Sequence, residues 1–336
     1  MDDVISLAHG SGGKLTHQLI SELFYKYFKN DMLLEGGDSA VIPSEKGRMA
    51  FTTDSYVISP VFFKGGNIGK LAVCGTVNDL TVSGAIPGYI SCGFIIEEGL
   101  SLRELELIAE SMADTAKQAG VTIVTGDTKV VQKGCADRIF INTSGIGVIP
   151  ENRDFSVRKI RAGDKVILTG TMGDHGTAIL LERENFKVQS EIASDCAPLN
   201  LLLEPALEQF PDAVRVMRDP TRGGVATTLN ELIKGSGLGI RLFQNALPVR
   251  DEVRGICEML GMDPLYMANE GKALLIAEGN QADGLVHTLQ ESPYGRNAAV
   301  IGTVTDEYPD KVFLSTLAGG SRVIDMLSGD QLPRIC

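Results

Sequence analysis

The sequence predicts a two-domain protein of the α/β (α+β) class. Three observations carry this. At 336 residues the chain is longer than one ordinary hydrophobic core organises. Both halves mix strand-like runs with apolar residues recurring at helical spacing. Between them, residues 150–163 are charged and aperiodic, as a domain boundary is. The expected division is 1–150, 151–326 and a polar, turn-like tail, 327–336. No internal repeat is visible.

His9-Gly10-Ser11-Gly12-Gly13 opens the ordered chain with small residues that let a ligand approach the backbone. It is not a P-loop. Leu15 follows Gly13-Lys14 where Ser or Thr is needed, and Ala8 stands at the upstream glycine position. On its own it reads more readily as a flexible leader. Leu15, Leu19, Ile20, Leu23, Phe24 and Tyr27 then recur at helical spacing. After Gly37-Asp38-Ser39, a strand is expected over 49–53, running into Thr53-Asp54-Ser55. Asn67 reads as the N-cap of a helix through Leu71 and Leu80 that carries Asn78-Asp79. A strand over 89–96 precedes a capping box, Ser101-Leu102-Arg103-Glu104. The helix it opens has Leu105, Ile108 and Met112 on one face and stops at Gly120. A short strand over 121–125 ends in Gly126-Asp127-Thr128-Lys129, and another covers 139–148.

In the second half a strand over 165–169 leads through Gly170 and Gly173 to a helix at Asp174-His175-Gly176. His175 reads as a turn or core residue. A strand over 214–217 ends in Asp219-Pro220-Thr221-Arg222-Gly223-Gly224. Helix, strand (239–243) and helix (249–260) follow. Asn269-Glu270-Gly271-Lys272 leads into a strand over 273–277, then a helix over 282–289 and strands over 298–304 and 311–314.

Composition limits function. Asp and Glu outnumber Lys and Arg by 43 to 31, a net charge of −12 that argues against a nucleic-acid footprint. Met1-Asp2-Asp3 is no signal-peptide start, and no apolar run reaches membrane length. The six cysteines are scattered without a C-x-x-C pair, neither a zinc pattern nor a compact disulfide framework. A reducing compartment, the cytoplasm, is expected, with Cys74, Cys92 and Cys135 as small buried hydrophobes.

Two features point to chemistry. Asp38, Asp54, Asp79 and Asp127 all sit at short polar breaks. Each alone reads as a solvated cap or turn. Together they suit a hard cation such as Mg²⁺ that bridges carboxylates to a polyphosphate. The chain also ends in Pro333-Arg334-Ile335-Cys336, which puts a thiol at the most mobile point of the polymer. Arg334 favours the thiolate and the α-carboxylate opposes it.

Gly37-Asp38, Thr53-Asp54, Asn78-Asp79, Gly126-Asp127-Thr128 and Asp219-x-Thr-x-Gly-Gly together resemble the ATP-binding superfamily of aminoimidazole ribonucleotide synthetase, selenophosphate synthetase and thiamine-monophosphate kinase. Within it, the His9 glycine loop, Gly126-Asp-Thr-Lys-Val-Val, Asn269-Glu-Gly-Lys and the terminal Pro-Arg-Ile-Cys are similar to the carbamoyl dehydratases of nickel–iron hydrogenase maturation. The resemblance spans essentially the whole chain. It implies a PurM-like fold of two α/β domains, the N-terminal strands of two subunits pairing into a dimer barrel, with a mobile C-terminal tail. It implies that a HypF-type transcarbamoylase loads a carbamoyl group onto Cys336, that ATP-dependent dehydration converts it to a thiocyanate, and that the cyanide passes to iron on a HypC–HypD scaffold. The residues it implies are Asp38, Asp54, Asp79 and Asp127 on Mg²⁺. Gly10, Ser11, Gly12, Gly13, Asn78, Thr128, Asp219 and Arg222 would lie around ATP, and Lys129 on the transferring phosphoryl. Glu270 would be the base, with His9 second. The N-terminal glycine region lacks the cysteine of selenophosphate synthetases, and Gly37-Asp38-Ser39 replaces the paired acids of thiamine-monophosphate kinases. The alternatives are a small-molecule kinase or selenophosphate-synthetase-like phosphotransferase, and a scaffold without catalysis.

Overall fold

The computed structural model describes residues 4–11, 14–34, 40, 42, 47–183 and 190–327. Gly12, Gly13, Asp38, Cys336 and nearly all of the expected tail lie outside these. The described chain begins with helical turns: α1 (Lys14–Leu19), a π-helical turn (Ile20–Phe24), α2 (Tyr25–Phe28) and α3 (Asp31–Leu34). Then come β1 (Arg48–Tyr56), a small hairpin of β2 (Phe62–Phe63) and β3 (Gly66–Asn67), α4 (Ile68–Val82), β4 (Ile86–Glu97), α5 (Leu102–Ala119), β5 (Thr122–Val131) and β6 (Ile139–Ile149).

Strands β1, β6, β4 and β5 form one sheet in that order. Only β4 and β5 run parallel, and α5 makes the crossover between them. Pairing carries side chains of one face across the strands. Thr52, Asp54 and Tyr56 of β1 point toward α4, with Thr143 of β6. Met49 and Phe51 point away, level with Val148 and Ile146. Ile86 and Ile95 of β4 share that outer face, which stays uncovered: Phe51 is 70% exposed and Met49 60%.

Helix α4 is buried nearly all round, because sheet, α5 and the second domain each cover a side. The Asn67 cap forms as expected, its Oδ1 accepting from the Gly69 and Lys70 amides. The expected capping box does not. Ser101 makes no side-chain cap, and Glu104 is drawn to Arg138 instead.

The second domain contains β7 (Lys165–Leu168), α6 (Asp174–Arg183), α7 (Asn200–Gln209), β8 (Val214–Arg218), α8 (Gly224–Ile233), β9 (Gly239–Phe243), α9 (Asp251–Leu260), β10 (Leu274–Ala277), α10 (Ala282–Glu291), β11 (Ala299–Thr305), β12 (Val312–Ser315) and β13 (Ser321–Ile324). Its seven-stranded sheet runs β13-β12-β9-β11-β7-β10-β8. Helix α7 and strand β13 were not expected; Pro205 inside α7 masks its helical pattern. Strand β5 does not stop before Gly126 but carries Asp127 and Lys129 within it. Cys74 and Cys92 are buried as expected, and Cys196 and Cys257 are buried too; Cys135, expected buried, is instead exposed in the β5–β6 turn.

Candidate active site between the two domains

Strand β1 and helix α4 deliver two aspartates to the domain boundary. Asp54 and Tyr56 alternate onto the α4 side of β1. Asp79, in the last turns of α4, accepts a hydrogen bond from Thr52 Oγ1 at 2.7 Å. From the second domain, β8 ends at Arg218 and hands over to Asp219, Thr221 and Arg222. The Gly223-Gly224 turn that follows is required by geometry. Gly224 has φ +59°, and a Cβ there would lie 2.6 Å from the Leu265 and Met267 carbonyls. Asp54, Tyr56, Gly75, Asp79, Arg218, Asp219, Arg222 and Glu270 thus line one cavity of about 310 Å³. A second, of about 440 Å³, lies beyond Asp79, Arg218 and Asp219, with Phe51, Phe155 and Met217 on its walls.

Carboxylates crowd this cleft. Burial, then the Asp79 charge, pushes Asp219 up to about 7. Burial also raises Asp79, with Asp54 adding to it against a Thr52 hydrogen bond and the Arg218 charge. Glu270 is 3% exposed and its Oε1 has no hydrogen-bond partner. Burial, with Cys196, Asp219, Asp195 and Asp54 around it, holds its carboxyl well above the usual range.

The loop that carries Glu270 is fixed from both domains. Asp195, missed in the sequence, accepts from the Glu270 amide at 3.0 Å and the Gly271 amide at 3.3 Å. Lys272 pairs with Asp195 at 3.2 Å. Burial opposes ionisation of Asp195, but Lys272, His175 and the Glu270 amide prevail and hold its carboxyl below the usual range. The lysine at the end of the Asn269-Glu-Gly-Lys run was the available signal; nothing local to Asp195 announces it. Asn78, expected beside ATP, is 1% exposed and fully engaged. It donates to the Ala197 and Glu270 carbonyls and accepts from the Leu199 amide. Asn78 is therefore a clamp between domains, because docking of residues 197–199 uses its polar atoms.

The other expected residues lie elsewhere. Asp127 and Lys129 pair at 2.9 Å, each about two-thirds exposed. Through Gly93 and Asn142, Asp127 is level with Ser55, on the opposite face of the sheet from Asp54. The four aspartates expected as one set are thus split: Asp54 and Asp79 meet, Asp127 does not join them, and Asp38 is not described. Among the described residues no group of three or more His, Cys, Asp or Glu is arranged to hold a metal ion. His9 is buried, with Nδ1 accepting from the Ser6 amide at 3.1 Å, and does not line the cleft. Gly10 packs against Val130, where a Cβ would collide with its backbone, and Ser11 Oγ donates to the Ala8 carbonyl. Thr128, Asp127 and Gly126 line a third cavity of about 250 Å³ under the N-terminal helices. His175 is a core residue as expected, its Nδ1 2.8 Å from Ser194 Oγ.

Residues 36–149 match the AIR synthase related protein N-terminal domain family, and residues 161–315 match the C-terminal domain family. The chain is 49% identical to carbamoyl dehydratase HypE of Bradyrhizobium diazoefficiens over 332 residues, 99% of this chain and 96% of that protein. Its structure is similar to that of hydrogenase maturation protein HypE in complex with ATP, with a TM-score of 0.94 at 46% identity over 98% of this chain and 99% of the other. It is also similar to the HypE chain of a HypE–HypF complex, with a TM-score of 0.81 at 46% identity over 92% and 99%.

Proposed function

The chain belongs to the carbamoyl dehydratase HypE family of AIR synthase related proteins, and from that membership we infer that it dehydrates a carbamoyl group on its own Cys336, using ATP, to supply cyanide for nickel–iron hydrogenase. The chain binds ATP, and a HypF-type transcarbamoylase is its partner. The observation that carries the reading is the direction of the chain's end. Asn230 in α8 donates to the Ile324 carbonyl, and the Leu327 amide donates to Thr227 Oγ1, one turn nearer the start of α8. Thr228 of that helix lines the carboxylate cleft with Glu270. From Leu327, nine residues lead to Cys336 and span at most about 30 Å, a reach that favours its delivery to the cleft.

The cleft suits Mg²⁺, which takes one or two carboxylates and completes its shell with water and phosphate oxygens. Asp54 and Asp79 offer hard oxygen donors, and the crowding of Asp219 and Glu270 beside them marks a place that calls for positive charge. A bound Mg²⁺ neutralises phosphate charge there. Arg218 and Arg222 add fixed positive charge in the same cleft. The carbamoyl oxygen takes the γ-phosphoryl group, which makes that oxygen a leaving group. Glu270 receives the remaining N–H proton as phosphate departs. A second copy covering the outer face of their sheet would bring a nucleotide bound there to Asp127 and Lys129. The exposed Met49, Phe51, Ile86 and Ile95 of that face favour such a homodimer, the dimer barrel. Delivery of cyanide to a HypC–HypD scaffold in the cytoplasm completes the reading.

The test is intact mass of the protein after incubation with transcarbamoylase, carbamoyl phosphate and Mg·ATP. The expected sequence is a carbamoyl adduct, then a thiocyanate. Cys336→Ala is expected to bind ATP and form neither. A Cys336→Ala protein that still matures hydrogenase would overturn the function.

A further inference from the structure

Two buried polar atoms of the cleft lack partners, and they face the same space. One is Glu270 Oε1; the other is the Tyr56 hydroxyl. Tyr56 closes β1 and is 2% exposed. Its ring reaches over α4 at Gly75, where an added Cβ would lie 2.1 Å from the hydroxyl oxygen. Only glycine at 75 leaves room for the phenol tip. The neighbouring Thr76 hydroxyl lies 2.5 Å from Thr143 Oγ1. A buried hydroxyl without a partner is unfavourable unless something else supplies one.

The bound group must therefore present an acceptor to the phenol and a donor to the carboxylate. A carbamoyl group has that pairing: a carbonyl oxygen on one side and an NH₂ on the other. We infer that Tyr56 is a catalytic residue that donates its hydroxyl proton in a hydrogen bond to the carbamoyl oxygen, and holds that oxygen as the C–O bond breaks. The inference rests on the dehydratase reading above and adds a residue to it. The carbamoyl oxygen first bonds to the γ-phosphorus as the bond to ADP breaks, and one N–H proton leaves to water. Glu270 then takes the second N–H proton. That electron pair completes the C≡N bond, and the C–O pair departs with phosphate. Tyr56 keeps its own proton throughout and stabilises the charge that grows on the departing oxygen. A hydrogen bond to that oxygen blunts its attack on phosphorus, so the benefit falls on the elimination.

The test is a single turnover of Tyr56→Phe protein carrying a carbamoyl group on Cys336, mixed with Mg·ATP and followed by intact mass and ADP release. ADP formation is expected to stay within about threefold of the parent, while thiocyanate formation slows by about 10²-fold and the phosphorylated adduct accumulates. ATP affinity and melting temperature are expected not to fall, since the hydroxyl removed has no partner in the protein. Thiocyanate formation within about threefold of the parent, or ADP release slowed in step with it, overturns the inference. A lowered melting temperature marks the hydroxyl as structural and also overturns it. A parent protein that forms ADP but no thiocyanate sinks the dehydratase reading instead.

Discussion

Asn78 in α4 donates its amide to the main-chain carbonyl of Glu270, 3.2 Å away and 192 residues further along the chain. The same side chain holds Ala197 and Leu199, so one residue of the first domain sets the position of the Glu270 loop in the second. Asn78→Ala leaves two carbonyls and an amide unpaired in a buried joint. A loss of about 3 kcal/mol is expected in urea unfolding, with a drop in dehydration rate larger than any change in ATP affinity.

Lys272 neutralises Asp195, whose carboxylate holds the Glu270 loop from behind. Removing the cation leaves a buried charge without compensation. Lys272→Met is expected to destabilise the protein by about 3–5 kcal/mol. The sign of the pH effect follows from the depressed Asp195 carboxyl. Its contribution is present above the ordinary carboxylate range and is lost as pH falls through the lower folded value. Acid unfolding of the variant should begin at higher pH than in the parent, as circular dichroism would record.

Asp219 behaves in the opposite sense. Its carboxyl titrates at about 7 in the fold, against an ordinary value near 3.8. The folded state holds this proton more tightly, so its contribution is full below about pH 4 and is lost as pH rises toward 7. In EDTA the parent is expected to lose roughly 2–4 kcal/mol of stability across that interval. Asp219→Asn should flatten the dependence and be the more stable protein at pH 8. Thermal unfolding at several pH values checks this.

Phe51 is 70% exposed on the edge strand β1, on the outer sheet face it shares with Met49, Ile86 and Ile95. In the homodimer proposed over this face, Phe51→Glu would bury an unpaired charge, so the variant is expected to keep its fold and sediment as a monomer where the parent sediments as a dimer.

Asp79→Asn keeps the size of the side chain and the Thr52 contact while removing a charge from the cleft. ATP affinity in Mg²⁺ is expected to fall by about tenfold or more in calorimetry, with Tm in EDTA unchanged or raised because burial disfavours that charge.

The parts of this site legible in the sequence are those announced locally. Asp54 ends an apolar–polar alternation, Asp79 sits on a capped helix, and Asp219 precedes paired glycines. Extending the period-2 reading of β1 past residue 53 would also have placed Tyr56 beside Asp54. Asn78 shows the limit. An amide next to an aspartate looks like a ligand, and only the docked second domain reveals that its atoms are spoken for. Asp195 lies in residues 190–199 without regular structure, so neither helical nor strand period marks it. Asp127 was grouped with Asp54 because both follow strand-like runs. Which face of a sheet a side chain takes depends on register, and register is not local.

The path of Ile324 and Leu327 along α8 has a kinetic corollary. In the proposed reading, a group carried on Cys336 nine residues beyond Leu327 meets the cleft at an effective concentration in the millimolar range, whatever the dilution of the cell. Dehydration of a group already loaded should therefore be first order in loaded chain, with nucleotide the one reagent that step awaits.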